Sequence, residues 1–480
     1  MEYAAGADAG GWEDNMKNMT LKNIAGACGG RLFGGREDLV AAGAVTDSRL
    51  VEKDFLFFAL QGERVDGHKF IPQVMEKGAA CAVCEKAPVS EDGKVPGPYI
   101  LVADVKKAMQ DIAAFYRSGL SIPVVGITGS VGKTSTKEFI AAVLEEKYNV
   151  LKTDGNYNNE IGVPLTLFRI REEHEVAVIE MGINHFGEMH RLSRMAAPDI
   201  VVMTNIGDCH LEALGSREGI LKAKSEIFDF MREDGTVIVN GDDELLAGIK
   251  ENNKKTYVTF GKDKNNICYV TDVCSKGLFG TEAQIHIPCG DFKVEIPLPG
   301  EHMVYNALAA AAVGEALGLT AAEIAAGIAA AQPTSGRSNL LRCGDKVILD
   351  DCYNANPVSM CAALDLLAQA DTRKVAILGD MFELGEDAEK LHGDVGRYAA
   401  KRRIDVIICG GEISAEMAQE AEAANSGESK VYYYPEKADL LRELPRLIKP
   451  GDTILVKASH GMGFTEVVEN LQNIQQKGWQ

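Results

Sequence analysis

Gly126, Gly129 and Gly132 precede Lys133 and Thr134 in the stretch IPVVGITGSVGKTSTKEFI (122–140), a set of residues able to hold a triphosphate. Glycines let backbone N–H groups come close to the anion. Lys133 can neutralise its outer phosphates, and the Thr134 hydroxyl can ligate Mg²⁺. The strict phosphate-loop pattern asks for glycine where Ile127 stands, so TGSVGKT is a shortened form. Further on, EVAVIEMG ends an apolar run with Glu180, an acid suited to holding Mg²⁺ directly or through water. DIVVMTNIGDCH sets Asn205 at a strand end and His210 in the loop that follows. In GSREGILKAKSEIF, Lys222 and Lys224 would point about 200° apart on a helix, so at most one faces the site. A lysine buried there without a partner would be costly.

These groups need elements to position them. The loop follows the apolar run Val124–Ile127 and precedes a helical pattern, which places it between a strand and a helix. VVGIT, EVAVIEMG, DIVVMTNI and GTVIVNGD are apolar runs of the kind found in a parallel sheet buried on both faces. Residues 255–297 alternate in polarity (AQIHI, FKVEIPL) and read as antiparallel, and a helical pair over 304–330 closes the region. Before it, DFLFFAL, AACAVCE and YILVAD form short strands, followed by a helix ending near Tyr116 and a linker, SGLSIP. After a second linker, QPTSGR, the strands KVILDD, KVAILGD, DVIICGG and DTILVKAS alternate with helices as in a doubly wound domain. The expected limits are a disordered tail over 1–18 and domains over 19–118, 119–332 and 333–480. Together they make a three-domain α/β chain with a mostly parallel central sheet and a Rossmann-like third domain.

The 480 residues carry a net charge of −20, which argues against nonspecific nucleic-acid binding. Eleven scattered cysteines suit reduced thiols better than a disulfide framework. The acidic N-terminus has no apolar core of a signal peptide, and the most apolar helical stretch, NALAAAAVGEALGL, is too short to span a bilayer. The expectation is a cytoplasmic monomer without membrane insertion.

TGSVGKTST, VIEMGINHFGEM, TNIGDCHLEALGS and KAKSEIF resemble, in order, the central motifs of the Mur ligase family, ATP-dependent enzymes of bacterial cell-wall synthesis. DCYNANPVSM, LGDMFELG and LVKASHGMG resemble the family member that acts last in the pathway. The resemblance implies ATP-driven joining of D-alanyl-D-alanine to UDP-N-acetylmuramoyl-tripeptide through an acyl phosphate, with ATP and Mg²⁺ as cofactors. It implies that Thr128, Gly129, Ser130, Val131, Gly132, Lys133, Thr134 and Ser135 hold the nucleotide. Asn306 would contact adenine, Asp351 the ribose, and Arg337 would reach the nucleotide from the third domain. Lys133, Glu180, His210 and Lys224 would be catalytic. Thr134, Glu180, His210 and a carbamylated Lys224 would hold metal. TDSRLVEKDFLFFALQGERVDGHKFI resembles the domain that binds the uridine diphosphate, so Ser48, Arg49, Asp66, Gly67 and His68 are substrate candidates. Asn158, Asn159, Tyr353, Asn354, Asn356 and Ser459 complete the set.

Two departures from the family pattern stand out. Met303 occupies a position where relatives usually carry Asn, and Ala458-Ser459-His460 replaces Gly-Ser-Arg or Gly-Ser-Asn. CAVC (81–84) has no second pair at zinc spacing and reads as a half-buried structural strand. EKADLLRELPRLIKP reads as an amphipathic surface helix. Two rival readings are the neighbouring ligase that adds the third amino acid, usually marked by a DNPR-type sequence absent here, and a P-loop ATPase switch, which leaves the YNANP and DSR segments unexplained.

Overall fold

The computed structural model describes residues 15–474 apart from 63–64, 89–94, 208, 210, 250–253, 334–335 and 338. The described residues form three sheets of five, nine and six strands, one after another. The first is parallel over Gly43–Val45, Phe55–Phe58, Cys81–Cys84 and Tyr99–Leu101, with Arg31–Phe33 added antiparallel at one edge. Cys81–Cys84 is an interior strand with all four residues buried, not the half-buried strand expected. Small side chains are favoured there because the sheet is covered on both faces.

The central sheet positions the site. Val124–Thr128 lies between Val176–Glu180 and Ile200–Met203, all three parallel and fully buried. Their register pairs Ile127 with Glu180 and Thr128 with Met203, so the strands end together on one edge. Such an edge, where the chain leaves parallel strands in opposite directions, is where α/β sheets bind ligands. The expected antiparallel stretch is only partly so. Thr256–Gly261 and Cys268–Ser275 extend the parallel sheet, and antiparallel pairing begins where Cys268–Ser275 meets Thr281–Ile287. Alternating polarity reports one solvent-facing side, not strand direction.

Helix Lys133–Glu145 covers this sheet together with the helices Met303–Ala316 and Ala321–Ala330. Their alanines and glycines allow close approach. A Cβ on Gly327 would lie 2.4 Å from the Val143 Cα. On the other face, helix Val105–Ser118 joins the first and central domains through one continuous core that includes Met109, Ile112, Met181 and Met189. SGLSIP is consequently pinned at both ends. Tyr116 Oη donates to the Ile170 carbonyl, and Arg117 pairs with Asp199, whose carboxylate also accepts the Val124 amide. The same core takes in Met16, fully buried, whose amide donates to the Ala41 carbonyl at 3.0 Å. The expected tail over 1–18 therefore stops short of residue 16, because burying Met16 and Met19 stabilises an ordered start. The rest of that expectation, residues 1–14, lies outside the described residues.

In the third domain, Asn339–Cys343 and Lys346–Asp350 form a hairpin, and the other strands run parallel. Two separate apolar cores, one on each face, give the doubly wound form expected. Lys437–Leu447 is an amphipathic helix burying Leu440, Leu444 and Leu447. No described helix is long and apolar enough to cross a membrane.

Candidate active site

The glycine-rich loop is held from below by the end of the neighbouring strand. Ser130 N–H donates to the Asn205 carbonyl at 2.9 Å, and the Asn205 side chain both accepts from Val131 N–H and donates to its carbonyl. Thr204 Oγ1 donates to the Val131 carbonyl at 2.7 Å, and Gly207 N–H donates to Ser130 Oγ. Gly132 then takes φ 83° and starts helix Lys133–Glu145 without a side-chain cap. The first N–H groups of that helix are thus left for an anion. Thr128, which ends the strand before the loop, is buried and its hydroxyl has no partner among the described residues. Ser135 lies in the first turn of the same helix.

Gly129 shows why this loop needs its glycines. Its φ is +150°, and a Cβ there would sit 2.0 Å from Thr204 Oγ1. Gly129→Ala must strain the backbone or break the Thr204 strap, at a cost of about 1–3 kcal/mol. The expected result is a fall in ADP affinity of roughly 10- to 100-fold in a calorimetric titration. Wild-type affinity would refute this account of the loop.

Three charged groups meet at the sheet edge. Glu180 is 1% exposed; its carboxylate accepts from Thr134 Oγ1 at 2.9 Å and from Asn158 Nδ2 at 2.8 Å. It has no ion-pair partner among the described residues. Lys133 folds back so that Nζ donates to the carbonyls of Gly129 (2.8 Å) and Ser130 (3.4 Å). Loss of water contact holds its ammonium below the ordinary lysine range, and the Glu180 charge partly offsets this. Lys224 is buried to the same degree as Glu180, whereas Lys222 is exposed, so helix Arg217–Ser225 turns one lysine inward as its geometry requires. Burial first, then the Lys133 charge, pull Lys224 down to about 7. No described residue accepts a hydrogen bond from its ammonium. His210 lies outside the described residues.

The adjoining elements bring some expected residues to this edge and commit others elsewhere. Asn306 is buried under the loop: its Oδ1 accepts from Thr136 Oγ1 at 3.0 Å, and its Nδ2 donates to the sulfur of Met303 at 3.2 Å. The unusual Met303 thus backs the Asn306 amide. The Arg337 guanidinium lies 3.9 Å over the Tyr353 ring, near enough to Lys133 that its charge further depresses that ammonium. Tyr353 also sits 5.5 Å from the His460 ring. Asp351 is paired with the buried Lys457 at 2.5 Å, and Lys457 also donates to the Asn354 carbonyl.

Several polar candidates serve local structure. Asn159 Oδ1 accepts the Ile161 and Gly162 amides, and Asn356 caps helix Pro357–Ala368 in a reciprocal pair with Ser359. Asn354 Oδ1 accepts the Ala355 amide, and Ser459 Oγ accepts the Phe382 amide. In the first domain, His68 faces Asp66 through Nδ1 and accepts the Glu85 amide at Nε2, which fixes the turn around Gly67. Ser48 is buried and its carbonyl accepts from Lys77, while the Arg49 side chain is exposed and forks onto Asp47. The residues that residue-by-residue reasoning passed over are Thr204 and Gly207, which strap the loop. Both lie in the TNIGDCHLEALGS motif, just past a strand next to the loop strand.

The geometry finds counterparts among known proteins. Residues 42–117 match the Mur ligase family catalytic domain, 127–314 the Mur ligase middle domain and 336–460 the Mur ligase glutamate ligase domain. The UDP-N-acetylmuramoyl-tripeptide–D-alanyl-D-alanine ligase of Bacillus subtilis is 40% identical over 95% of this chain and 99% of its own. The Escherichia coli enzyme of the same name is 36% identical over 95% and 99%. The crystal structure of MurF from Acinetobacter baumannii superposes with a TM-score of 0.84 at 32% identity, covering 96% of this chain and all of the other. MurF from Thermotoga maritima in complex with ADP superposes at 0.77 with 28% identity, covering 91% and 98%. The chain belongs to the Mur ligase family.

Proposed function

We propose that this chain is an ATP-dependent ligase that joins D-alanyl-D-alanine to UDP-N-acetylmuramoyl-tripeptide, giving the UDP-linked pentapeptide used in peptidoglycan synthesis. The observation that carries this reading is the extent of the likeness: at 40% identity it covers 99% of a relative named for that reaction, all three domains included. The chain works as a cytoplasmic monomer in this reading, with a first domain that includes Met16 and runs to 118, and domains over 119–332 and 333–480.

The reaction must bring a carboxylate against a triphosphate. Two like charges about 4 Å apart repel by about 4 kcal/mol at an effective dielectric near 20. Lys133 and the uncapped N–H groups after Gly132 offset that repulsion at the outer phosphates. A carboxylate oxygen of the tripeptide attacks the γ-phosphorus, ADP leaves, and an acyl phosphate forms. The neutral amine of D-alanyl-D-alanine then attacks the acyl carbon, loses a proton and expels phosphate. Ser48, Arg49 and Gly67 meet the uridine-diphosphate end, where the Asp66–His68 pair shapes the turn; Asn158 borders the peptide, with Asn159 shaping the turn beside it; and Tyr353, Asn354, Asn356 and Ser459 border the dipeptide. Thr128 to Ser135, Asn306, Arg337 and Asp351 hold the nucleotide.

The residues at the edge fit Mg²⁺. Glu180 is a buried carboxylate without an ion-pair partner among the described residues, in contact with the Thr134 hydroxyl. No cluster of three or more His, Cys, Asp or Glu occurs among the described residues. One or two carboxylates plus substrate phosphates is the usual Mg²⁺ arrangement. Thr134 and Glu180 would hold one ion, and Glu180, His210 and carbamylated Lys224 a second. When bound, Mg²⁺ supplies positive charge to the transferring phosphoryl group. Lys224 suits carbamylation because, with its ammonium lowered to about 7, much of the amine is neutral near pH 7. The nitrogen adds to CO₂, a proton goes to water, and an anion replaces a buried cation.

Phosphate release from ATP tests the reading. Release is expected only with UDP-tripeptide and D-alanyl-D-alanine both present. Better turnover with a single amino acid, or brisk release without the dipeptide, would transfer the chain to another ligase or to an ATPase.

A further inference from the structure

Lys137 is fully buried on the loop helix, one turn after Thr134, and takes no part in the chemistry above. Its ammonium donates to the Thr153 carbonyl at 2.7 Å and pairs with Glu138 at 2.9 Å. Glu138 pairs in turn with Lys152 at 2.7 Å. A buried lysine held this way can be a satisfied core residue and nothing more. Its acceptor points to something else.

Thr153 stands just past strand Val150–Lys152, where the chain leaves the sheet toward Asn158. Its own amide still donates to the Val178 carbonyl at 3.0 Å, as the last bond of the ladder. Beyond that point strand Val176–Glu180 has no backbone neighbour on this side, yet the buried Glu180 amide needs an acceptor. The Thr153 hydroxyl takes the place of the missing carbonyl, accepting from Glu180 N–H at 3.0 Å. Leaving the ladder also frees the Thr153 carbonyl, and Lys137 occupies it. All three polar groups of Thr153 are therefore used, and it is fully buried.

Glu180 is thus tied twice to the same two elements. Its carboxylate meets Thr134 of the loop helix and Asn158 of the departing segment. Its backbone meets Thr153 of that segment, which is staked to the loop helix by Lys137. We propose that Thr153, braced by Lys137, is a positioning residue that sets the height of Glu180 against Thr134 and so tunes the metal–nucleotide site. The proposal rests on the reading of Glu180 and Thr134 as Mg²⁺ ligands.

Thr153→Val keeps the shape and removes the acceptor; Thr153→Ser keeps the acceptor. The full-length chain is titrated with ADP by calorimetry, with and without Mg²⁺. In the wild type Mg²⁺ tightens ADP binding. Thr153→Val is expected to lose about tenfold of that tightening, the consequence of one unsatisfied buried amide, while metal-free ADP affinity stays within about twofold. Thr153→Ser is expected to restore it, and Lys137→Met to lose part of it. Hydrogen exchange adds a readout independent of ligands: the Glu180 amide exchanges faster in Thr153→Val than in Thr153→Ser. Unchanged Mg²⁺ tightening in Thr153→Val, even with a lowered melting temperature, would make Thr153 merely structural and overturn the proposal. So would a Thr153→Ser variant that folds but shows no tightening. A wild-type chain whose ADP affinity ignores Mg²⁺ would overturn the metal reading itself, which separates the two failures.

Discussion

Lys133→Met is expected to lower kcat about 10²- to 10³-fold, the usual effect of deleting one preorganised charge aimed at a developing anion. The Lys133 ammonium is half-buried, donates to two carbonyls of its own loop and senses the Glu180 charge. The ammonium is in no ion pair among the described residues, so phosphate oxygens can draw it outward from these carbonyls without breaking one. The uncapped helix start and the loop amides remain in the variant, so ADP affinity should fall much less than kcat. The KM for D-alanyl-D-alanine should hardly change if, as proposed, that substrate meets the third domain. Steady-state phosphate release and an ADP titration check both halves. A kcat within tenfold of wild type would remove Lys133 from the phosphoryl-transfer step.

Lys224→Met should cost at least about 10²-fold in ligation and yet raise the melting temperature of the ligand-free protein. In the proposed reading, catalysis suffers because the carbamate cannot form. Without CO₂, stability rises because Met replaces a buried ammonium that has no hydrogen-bond acceptor among the described residues with an apolar side chain of similar volume. The sign follows from linkage. The folded-state value, about 7, lies below the ordinary lysine value of 10.5. Between those limits the unfolded chain binds a proton that the folded chain does not, so wild-type stability climbs as pH rises through that window. Below about pH 7 both states are protonated and the wild type bears the whole penalty, several kcal/mol at about 1.4 kcal/mol for each pH unit. The advantage of Met should therefore be greatest near and below pH 7 and shrink toward pH 10. Wild-type activity should also fall in CO₂-depleted buffer and recover with bicarbonate, a response the variant lacks. A variant that melts lower than wild type at pH 6, or stays active, would contradict the burial and the role together.

Much of this was legible in the chain. The loop, its strand and its helix follow from glycines, an apolar run and a Lys-Thr pair in sequence. Glu180 follows from an acid at the end of an apolar strand. The choice between Lys222 and Lys224 was limited by helix geometry alone, since residues two apart cannot face the same way. Other expectations needed neighbours far away in sequence. Asn159 and Asn356 have the composition of ligand-binding residues, but their side-chain oxygens go to helix amides. His68, a substrate candidate in DGHKF, has its ring nitrogens on Asp66 and the Glu85 amide, the latter 17 residues away.

The sequence by itself determined which elements exist and which residues have the chemistry for phosphoryl transfer. Those properties are local: periodicity, apolar runs and the few residue types able to hold phosphate or metal. Tertiary structure alone decided strand direction beyond Thr256, the ordered start at Met16 and which lysine is buried. It also decided that the Glu180 amide, past the last rung of its ladder, rests on the Thr153 hydroxyl. The physical reason is that a buried donor must find an acceptor wherever the packed chain offers one, and that acceptor here lies 27 residues away with no local pattern to announce it.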